Sequence, residues 1–581
     1  MSSHPAAHSA PVYEQLAADL QRQGVDTVFG LMSDDTALFV TALDGLGVRF
    51  VAARHENTAC VMADGYAAAS GRLGVAILGR GPATANALHG AVTANRSGNR
   101  VLLVFGYAST VRPPPNGLGP DGKALDAPAV LQAAGIRCFV ASDAAGARRT
   151  LARAVAATWP HACAALLLPT DVQFSPCDEA DQTAPLADAT TVLSTALSTA
   201  QSTAVFTALS RPRPAAIAAA AALLAQSRAP LIIAGLGAHR AGARDALQAL
   251  ADQTGAVLAT TLKAKDMFHG HPFNGGLIGS FSHAAGRRLF DQADCVIAFG
   301  AGLNQRTTSY GTALPATAPL IQVDAVRANI GRWCHADVAL VADAREAAQQ
   351  LAAALPVRAA ADKPLHSDAH RQLLAGHDLA REFTPAHTPR TLDPRALALT
   401  LDGLLPADRN TVYDTGNFLQ VLPYLSGLSP SHTKTSHDFS SIGMGFGTAL
   451  GFACGAPQRP TVFVTGDGSL LMNLGELETT AREDIPLVIV LLNDCAYGAE
   501  LHYLKMRDAP VARSQFVDID FAPIAQALGF QAATVRTLDE LAALAPLLRE
   551  PQGPILLDCK INGAVMAPFL LETVEHERRR R

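Results

Sequence analysis

The densest chemistry in the sequence lies between Thr461 and Gly498. An apolar run, Thr461–Thr465, leads into Gly466-Asp467-Gly468-Ser469. A helical stretch follows, roughly Asn473 to Glu483. A second apolar run, Leu487–Leu492, ends in Asn493-Asp494-Cys495-Ala496-Tyr497-Gly498. In a parallel sheet both runs finish on one edge, where α/β folds bind their ligands. Asp467 and Asp494, one βαβ crossover apart, therefore bring two carboxylates to that edge. With backbone carbonyls and phosphate oxygens they complete an octahedral shell for Mg²⁺. Gly466 and Gly468 allow close backbone approach, and free N–H groups at the next helix start suit a diphosphate. Alone, Gly-Asp-Gly reads as a structural turn. With Asn-Asp closing a second strand one crossover later, it is a specific signal.

The rest of the chain supplies the elements needed to hold such an edge. Short Val/Ile/Leu-rich runs read as buried parallel strands: Val75–Leu78, Val101–Phe105, Ala164–Leu168, Leu231–Ala234, Cys295–Phe299, Leu320–Val323 and Ile555–Leu557. Most are followed by a Gly, Asn or Asp turn and an Ala-rich helical pattern. That grammar predicts three stacked, doubly wound α/β domains with parallel sheets. Two polar, Pro-containing stretches read as linkers. The predicted organisation is an N-terminal domain over 1–178, a linker over 179–213, a central domain over 214–356, a linker over 357–393 and a C-terminal domain over 394–581.

Composition narrows the function. The 581 residues carry 46 Lys+Arg against 51 Asp+Glu, a net charge of −5 without a concentrated basic patch, so no nucleic-acid footprint is expected. The Arg578–Arg581 run reads as a solvated terminus. The 9 cysteines are scattered singly, without a CxxC, which fits reduced thiols in the cytoplasm and no disulfide framework. The N-terminus has no signal-peptide pattern, and the apolar stretch Pro214–Ala225 is too short to span a bilayer. A soluble cytoplasmic protein with no membrane partner is expected.

The motif Gly466-Asp467-Gly468 through Asn493-Asp494 resembles the diphosphate motif of thiamine diphosphate-dependent enzymes, nearest to the acetohydroxyacid synthase, pyruvate decarboxylase and benzoylformate decarboxylase group. The resemblance implies Asp467 and Asp494 as side-chain metal ligands and the Ala496 carbonyl as a backbone ligand. It extends the cofactor-binding set over Gly466, Gly468, Ser469, Tyr497 and Gly498. The family usually has Asn where Asp494 stands, so this chain places an extra negative charge beside the diphosphate. Upstream, Asp438-Phe439-Ser440-Ser441-Ile442-Gly443-Met444-Gly445 opens an apolar helix. Met444 matches the bulky residue that props the cofactor into a V shape, as in acetohydroxyacid synthases, and Gly443 precedes it. Thr415-Gly416-Asn417 implies further contacts to the diphosphate, through the backbone at Gly416 and the amide of Asn417.

In the first unit, Arg54-His55-Glu56-Asn57 follows the strand Val48–Ala52 and precedes an amphipathic helix. In isolation Glu56 reads as a surface residue at a helix start. Beside the distal motif it aligns with the family's catalytic glutamate, which bonds the cofactor's pyrimidine ring. Such a carboxyl exchanges a proton near pH 7, so burial should raise its pKa. The cofactor then acts as the electron sink for loss of CO₂. His55 reads as structural. Gly81-Pro82-Ala83-Thr84-Ala85-Asn86 resembles the family's GPGxxN turn and puts Asn86 near the pyrimidine.

Phe29-Gly30-Leu31-Met32-Ser33-Asp34 resembles the FGLPGD of pyruvate decarboxylases, whose Asp relays protons. Asp34 takes that position, but the paired histidines that accompany it are missing from Val111–Pro120. The Gln that many synthases carry after the strand Val101–Phe105 is also absent; Gly106 and Tyr107 stand there. In relatives the central domain holds FAD, ADP or nothing, and no fingerprint here indicates FAD. Gly235 and Gly237 read as a strand-to-helix turn. Tyr497, Glu500 and His502 are candidates for substrate contact.

The resemblance implies a transferase or lyase that cleaves a 2-oxo acid and passes the acyl unit to an acceptor, as acetolactate synthases do. The alternative is simple decarboxylation releasing an aldehyde. A non-catalytic nucleotide-binding protein of the same fold fits less well, because Glu56 and Asp467 are both present. A nicotinamide dehydrogenase fits less well because no G-x-G-x-x-G follows a strand. In the family the two motif regions meet across a subunit interface, so a homodimer or homotetramer is implied.

Overall fold

The computed structural model describes residues 10–111, 121–177 and 211–580. Three six-stranded sheets follow one another along the chain, and every strand pairing in them is parallel. The first comprises β1 (Thr27–Gly30), β2 (Arg49–Ala52), β3 (Gly74–Leu78), β4 (Val101–Tyr107), β5 (Arg137–Val140) and β6 (Cys163–Pro169), in the order β2-β1-β3-β4-β6-β5. The second comprises β7 (Pro230–Ala234), β8 (Val257–Thr260), β9 (Asn274–Leu277), β10 (Cys295–Phe299), β11 (Leu320–Asp324) and β12 (Val338–Val341), ordered β12-β11-β10-β7-β8-β9. The third comprises β13 (Asn410–Tyr413), β14 (Thr433–Thr435), β15 (Thr461–Gly466), β16 (Leu487–Asn493), β17 (Gln531–Val535) and β18 (Ile555–Lys560), ordered β14-β13-β15-β16-β18-β17. The first and third sheets thus share one topology, while the central sheet is wound outward from β7 and β10.

Long apolar runs appear as strands because both faces of a parallel sheet are covered by helices. The central strands β3, β4, β7, β10, β15 and β16 are buried along their whole length, save Tyr107 at the end of β4. The strands that composition did not announce are β1, β5, β8, β9, β14 and β17. Several of these are edge or short elements. β5 and β17 each begin on an exposed residue and are mostly half-buried after it, and β9 carries two glycines. Pairing with a neighbour, not apolar content, makes them strands. The segment 357–393 holds short helical turns and the helix Asp368–Ala375. Most of the 179–213 linker lies outside the described residues.

The N-terminal and C-terminal domains are joined through the helices Glu56–Ser70 and Met444–Gly455. Both are rich in Gly and Ala, and their backbones meet without intervening side chains. A Cβ on Gly65 would collide with the Thr448 carbonyl, and one on Gly451 with the Met62 carbonyl. That close crossing fixes the starts of the two helices, and so the loops that precede them.

Candidate active site

β15 and β16 lie in register, with Gly466 opposite Leu492, so the residues just past each strand emerge side by side. Asp467 opens a short helix, Asp467–Leu471, and Asp494 follows the last residue of β16. Both carboxyl groups accept from the same backbone amide, that of Ala496. Burial pushes Asp467 up to about 6, opposed by the amides of Gly468 and Ala496 and reinforced by Asp558. Burial and the neighbouring Asp467 push Asp494 up to about 7. Among the described residues no lysine or arginine pairs with either carboxylate. A buried and a half-buried carboxylate that share one amide, with no ion-paired lysine or arginine among the described residues, form a donor set for a hard divalent ion.

The backbone around this pair is cut to leave room. A Cβ on Gly498 would sit 2.5 Å from Asp494 Oδ2, and one on Gly468 would sit 2.7 Å from the Tyr497 ring. Tyr497 packs edge-on against Phe516 with ring centroids 4.6 Å apart. The turn is held by the Tyr497 N–H on the Ser514 carbonyl at 2.8 Å and the Phe516 N–H on the Cys495 carbonyl at 2.6 Å. Cys495 takes a left-handed φ of 57° there. Asn493 is a structural residue: its Nδ2 donates to Asp558 Oδ1 at 2.9 Å. Ser469 is buried in the same helix.

Met444 is 2% exposed at the start of its helix, directly after Gly443, whose φ is 86°. The Gly443 N–H donates to buried Asp414 at 2.9 Å, and its carbonyl accepts from Asn473 Nδ2 at 2.8 Å. Burial raises Asp414 above the usual carboxylate range. Gly416 opens onto a cavity shared with the central domain. Asn417 is committed elsewhere: its Nδ2 donates to the Val565 carbonyl at 3.0 Å, and its Oδ1 accepts from the Ala567 N–H at 2.8 Å. The side-chain amide thus anchors the C-terminal segment, leaving backbone atoms as the groups available at this turn.

Glu56 begins the helix Glu56–Ser70 and is largely enclosed, with 14% of its side chain exposed. Asn86 Nδ2 donates to Glu56 Oε2 at 3.1 Å, so two residues from separate motifs come together. His55 caps the helix, its Nδ1 accepting from the Asn57 N–H at 3.2 Å. Two residues that the motif reading passed over hold this corner. Glu476, 1% exposed, accepts the Arg54 N–H at 2.9 Å and the Thr479 hydroxyl at 2.7 Å. Asn473, besides holding Gly443, accepts from the Thr58 hydroxyl at 3.3 Å. Asn473 lies in the turn just before the helix Glu476–Arg482, which Glu476 opens, and their one signal in the sequence was this three-residue spacing after the Gly-Asp-Gly motif.

Asp34 stands in the open, with 77% of its side chain exposed, and pairs with Lys123. The Lys123 ammonium beside it holds its carboxyl below the usual range. Its neighbour Asp35 is the buried acid of this loop, accepting from the Ser33 hydroxyl at 2.5 Å and the Arg80 N–H at 2.8 Å. The helix Gly498–Lys505 separates two other candidates. Glu500 faces solvent, whereas His502 is buried, bonds the Val565 carbonyl and is held neutral by burial.

Among the described residues one trio of His, Cys, Asp or Glu side chains has ligand atoms within 4.8 Å of one another: His283, His377 and Glu382. His283 Nδ1 accepts the Gly286 N–H at 3.1 Å, so the neutral ring carries its proton on Nε2 and offers no free lone pair. The trio clamps the 357–393 segment onto the helix Ala284–Phe290, with the two imidazole rings stacked at 4.4 Å.

Sequence comparisons agree with this geometry. Three family domains match in order: the thiamine pyrophosphate enzyme N-terminal TPP binding domain over 11–119, the central domain over 217–351 and the C-terminal TPP binding domain over 414–559. The chain is 30% identical to a protein of Pseudomonas aeruginosa named "Probable 2-ketoarginine decarboxylase", over 90% of this chain and 89% of that one. It is 26% identical to a "Probable acetolactate synthase large subunit" of Methanocaldococcus jannaschii, over 96% and 93%. It is 27% identical to a sulfoacetaldehyde acetyltransferase of Alcaligenes xylosoxydans xylosoxydans, over 91% and 88%. Three domain matches in this order, together with the three-sheet fold, show that the chain belongs to the thiamine pyrophosphate enzyme family, as an acetolactate synthase-like enzyme of the carboligase and decarboxylase kind.

Proposed function

We propose that the protein cleaves a 2-oxo acid and transfers the acyl unit to an acceptor, with thiamine diphosphate bound through Mg²⁺. Asp467, Asp494 and the Ala496 carbonyl would hold the metal. Gly466, Gly468, Ser469 and Gly498 would border the diphosphate. The observation that carries the reading is the pair of enclosed carboxylates converging on the Ala496 amide with no cationic partner among the described residues. When bound, the cofactor supplies the electron sink for CO₂ loss. Glu56 would hold or release a proton at the pyrimidine, with Asn86 fixing its carboxylate. Met444, rigid at its helix start, would wedge the two rings together.

A homodimer or homotetramer belongs to this reading. Met472, beside Gly443, and its chain neighbour Leu471 expose apolar side chains, which suits coverage by a second copy.

Calorimetry tests the metal site: Asp467→Ala should abolish Mg²⁺-dependent thiamine diphosphate binding, and retained affinity would refute the assignment. A panel of 2-oxo acids, with carbon products read by mass spectrometry, tests the reaction. Condensation products support carboligation. Free aldehyde alone supports the second reading, simple decarboxylation, which the similarity to a protein named as a decarboxylase favours.

A further inference from the structure

The loop that ends on Gly443 and Met444 is closed at its base by one buried acid. Asp414 accepts the Ser436 hydroxyl at 2.8 Å and the Gly443 N–H at 2.9 Å, so both ends of the 436–443 segment meet on a single carboxyl group. Side chains between those ends reach the other two domains. The Phe439 ring lies 5.9 Å from the His89 ring and 4.3 Å from the Arg96 guanidinium, both on the helix Pro82–Ser97 that carries Asn86. Asp438, with 6% of its side chain exposed, meets Lys263 of the central domain.

Acids and lysines alternate through that junction. Asp64 is buried on the Glu56–Ser70 helix, and Lys434 of β14 lies 3.2 Å from it and 3.8 Å from Asp438. Lys263 pairs with the other oxygen of Asp438 and ends the run. The Arg240 guanidinium also feels both acids. Burial would raise the Asp438 carboxyl, but Lys434 and Lys263 hold it below the usual range. A carboxylate this enclosed depends on its cations staying in place. Lys263 is held there by its own turn, Leu262–Ala264, shortly after β8. The next lysine, Lys265, is buried and donates to the Leu425 carbonyl at 2.8 Å, which fastens the turn to the C-terminal domain.

We propose that Lys263 is a positioning residue: from the central domain it holds Asp438, and through the 436–443 loop it fixes the Gly443–Met444 turn against the Glu56 helix. That helix is reached by the same run of charges, at Asp64. A loop tied at its base and at its tip has few ways to move. Without the tie at Asp438, the Asp414 bonds must hold the Gly443 turn with only the Phe439 contacts to help. The inference rests on the reading of Met444 as the wedge for the cofactor. Lys263 acts in it through Asp438, and a displacement of about 1 Å at the reacting groups costs on the order of 10²-fold in rate.

Amide hydrogen exchange and steady-state kinetics test it on the full chain, with thiamine diphosphate and Mg²⁺ present and absent for the exchange. Lys263→Met should speed exchange in peptides spanning 436–444, where the Gly443 amide on Asp414 is the reporter, and leave the buried strands β7 and β10 unchanged. On a 2-oxo acid that the protein turns over, kcat should fall about ten- to a hundredfold. KM should move by less than about threefold, because substrate contacts are kept. Lys263→Arg keeps a cation on Asp438 and should restore most of both. Asp438→Asn should copy Lys263→Met, and the double variant should be no worse than either single one. Unchanged exchange over 436–444, an unchanged kcat with the loop loosened, or additive losses in the double variant overturn the proposal. If no 2-oxo acid is turned over by the wild type while exchange responds as expected, the reading of the reaction fails and the tie through Asp438 stands. Should Lys263→Met not fold, Lys263→Gln keeps a donor and removes the charge; it should loosen the same peptides, and unchanged exchange in it overturns the proposal equally.

Discussion

Asp467 and Asp494 share a single backbone amide, that of Ala496, and burial raises both above the ordinary carboxylate value of 3.8. Stability contributed by a raised carboxyl is complete below its ordinary value and is lost as pH climbs through the folded value. Without metal, the protein should therefore lose thermal stability between about pH 4 and pH 7, as groups at about 6 and about 7 are forced to ionise in the interior. Asp494→Asn should flatten that decline. A divalent cation needs both carboxylates ionised, so Mg²⁺ binding should tighten with rising pH over the same window and release protons. Melting curves of metal-free wild type and Asp494→Asn at stepped pH check the first part. Calorimetry in buffers of different ionisation enthalpy checks the second. A parallel decline in the two proteins would refute the pairing.

Glu56 receives its hydrogen bond from Asn86, across two motifs of the first domain. Glu56→Gln keeps the shape and removes the exchangeable proton. It should leave cofactor affinity nearly intact while lowering kcat by about 10²–10⁴-fold, the usual range for a general acid-base group. Asn86→Ala frees the carboxylate and should lower kcat less. Steady-state kinetics beside calorimetric cofactor affinity separate the two outcomes, and unchanged turnover in Glu56→Gln would contradict the role.

Glu476 belongs to the third domain but accepts the Arg54 N–H of the first, two residues before Glu56. Glu476→Ala leaves that partly buried amide unpaired, a loss of about 1 kcal/mol or more. Denaturant unfolding should show it, and kcat should fall because the start of the Glu56 helix loosens. Glu476→Gln retains an acceptor and should restore most of both. If Gln and Ala behave alike, the carboxylate's charge and not its hydrogen bond is what matters.

The loop after β1 carries two acids with opposite surroundings. Asp34 is exposed and paired with Lys123, so Asp34→Asn should change stability by less than about 1 kcal/mol. Asp35 is buried and triply held, so Asp35→Asn should cost about 1–3 kcal/mol. If Asp34 relays protons, its Asn variant slows product release or protonation more than CO₂ loss in single-turnover experiments. Equal slowing of both steps argues against the relay.

Strands with unbroken apolar runs, such as those ending at Gly466 and Asn493, were legible in the sequence because full burial on both faces leaves a local compositional trace. So were the Gly-Asp-Gly turn and the crossover spacing that aligns Asp467 with Asp494, since chain geometry alone brings them to one edge. The edge and short strands β5, β14 and β17 were not, because their extended shape comes from a neighbour's hydrogen bonds. Nor was the commitment of Asn417 to Val565 and Ala567, whose partners lie in a distant part of the chain.

The sequence by itself determined the domain grammar, the donor types at the diphosphate edge and the acid at the head of the Glu56–Ser70 helix, all of which rest on local pattern or fixed spacing. Only the tertiary structure decided that Glu476 and Asn473 tie the first domain to the third, and that Asp35 rather than Asp34 is the buried acid. Burial and pairing are properties of surfaces that meet, and those surfaces come from residues hundreds of positions apart.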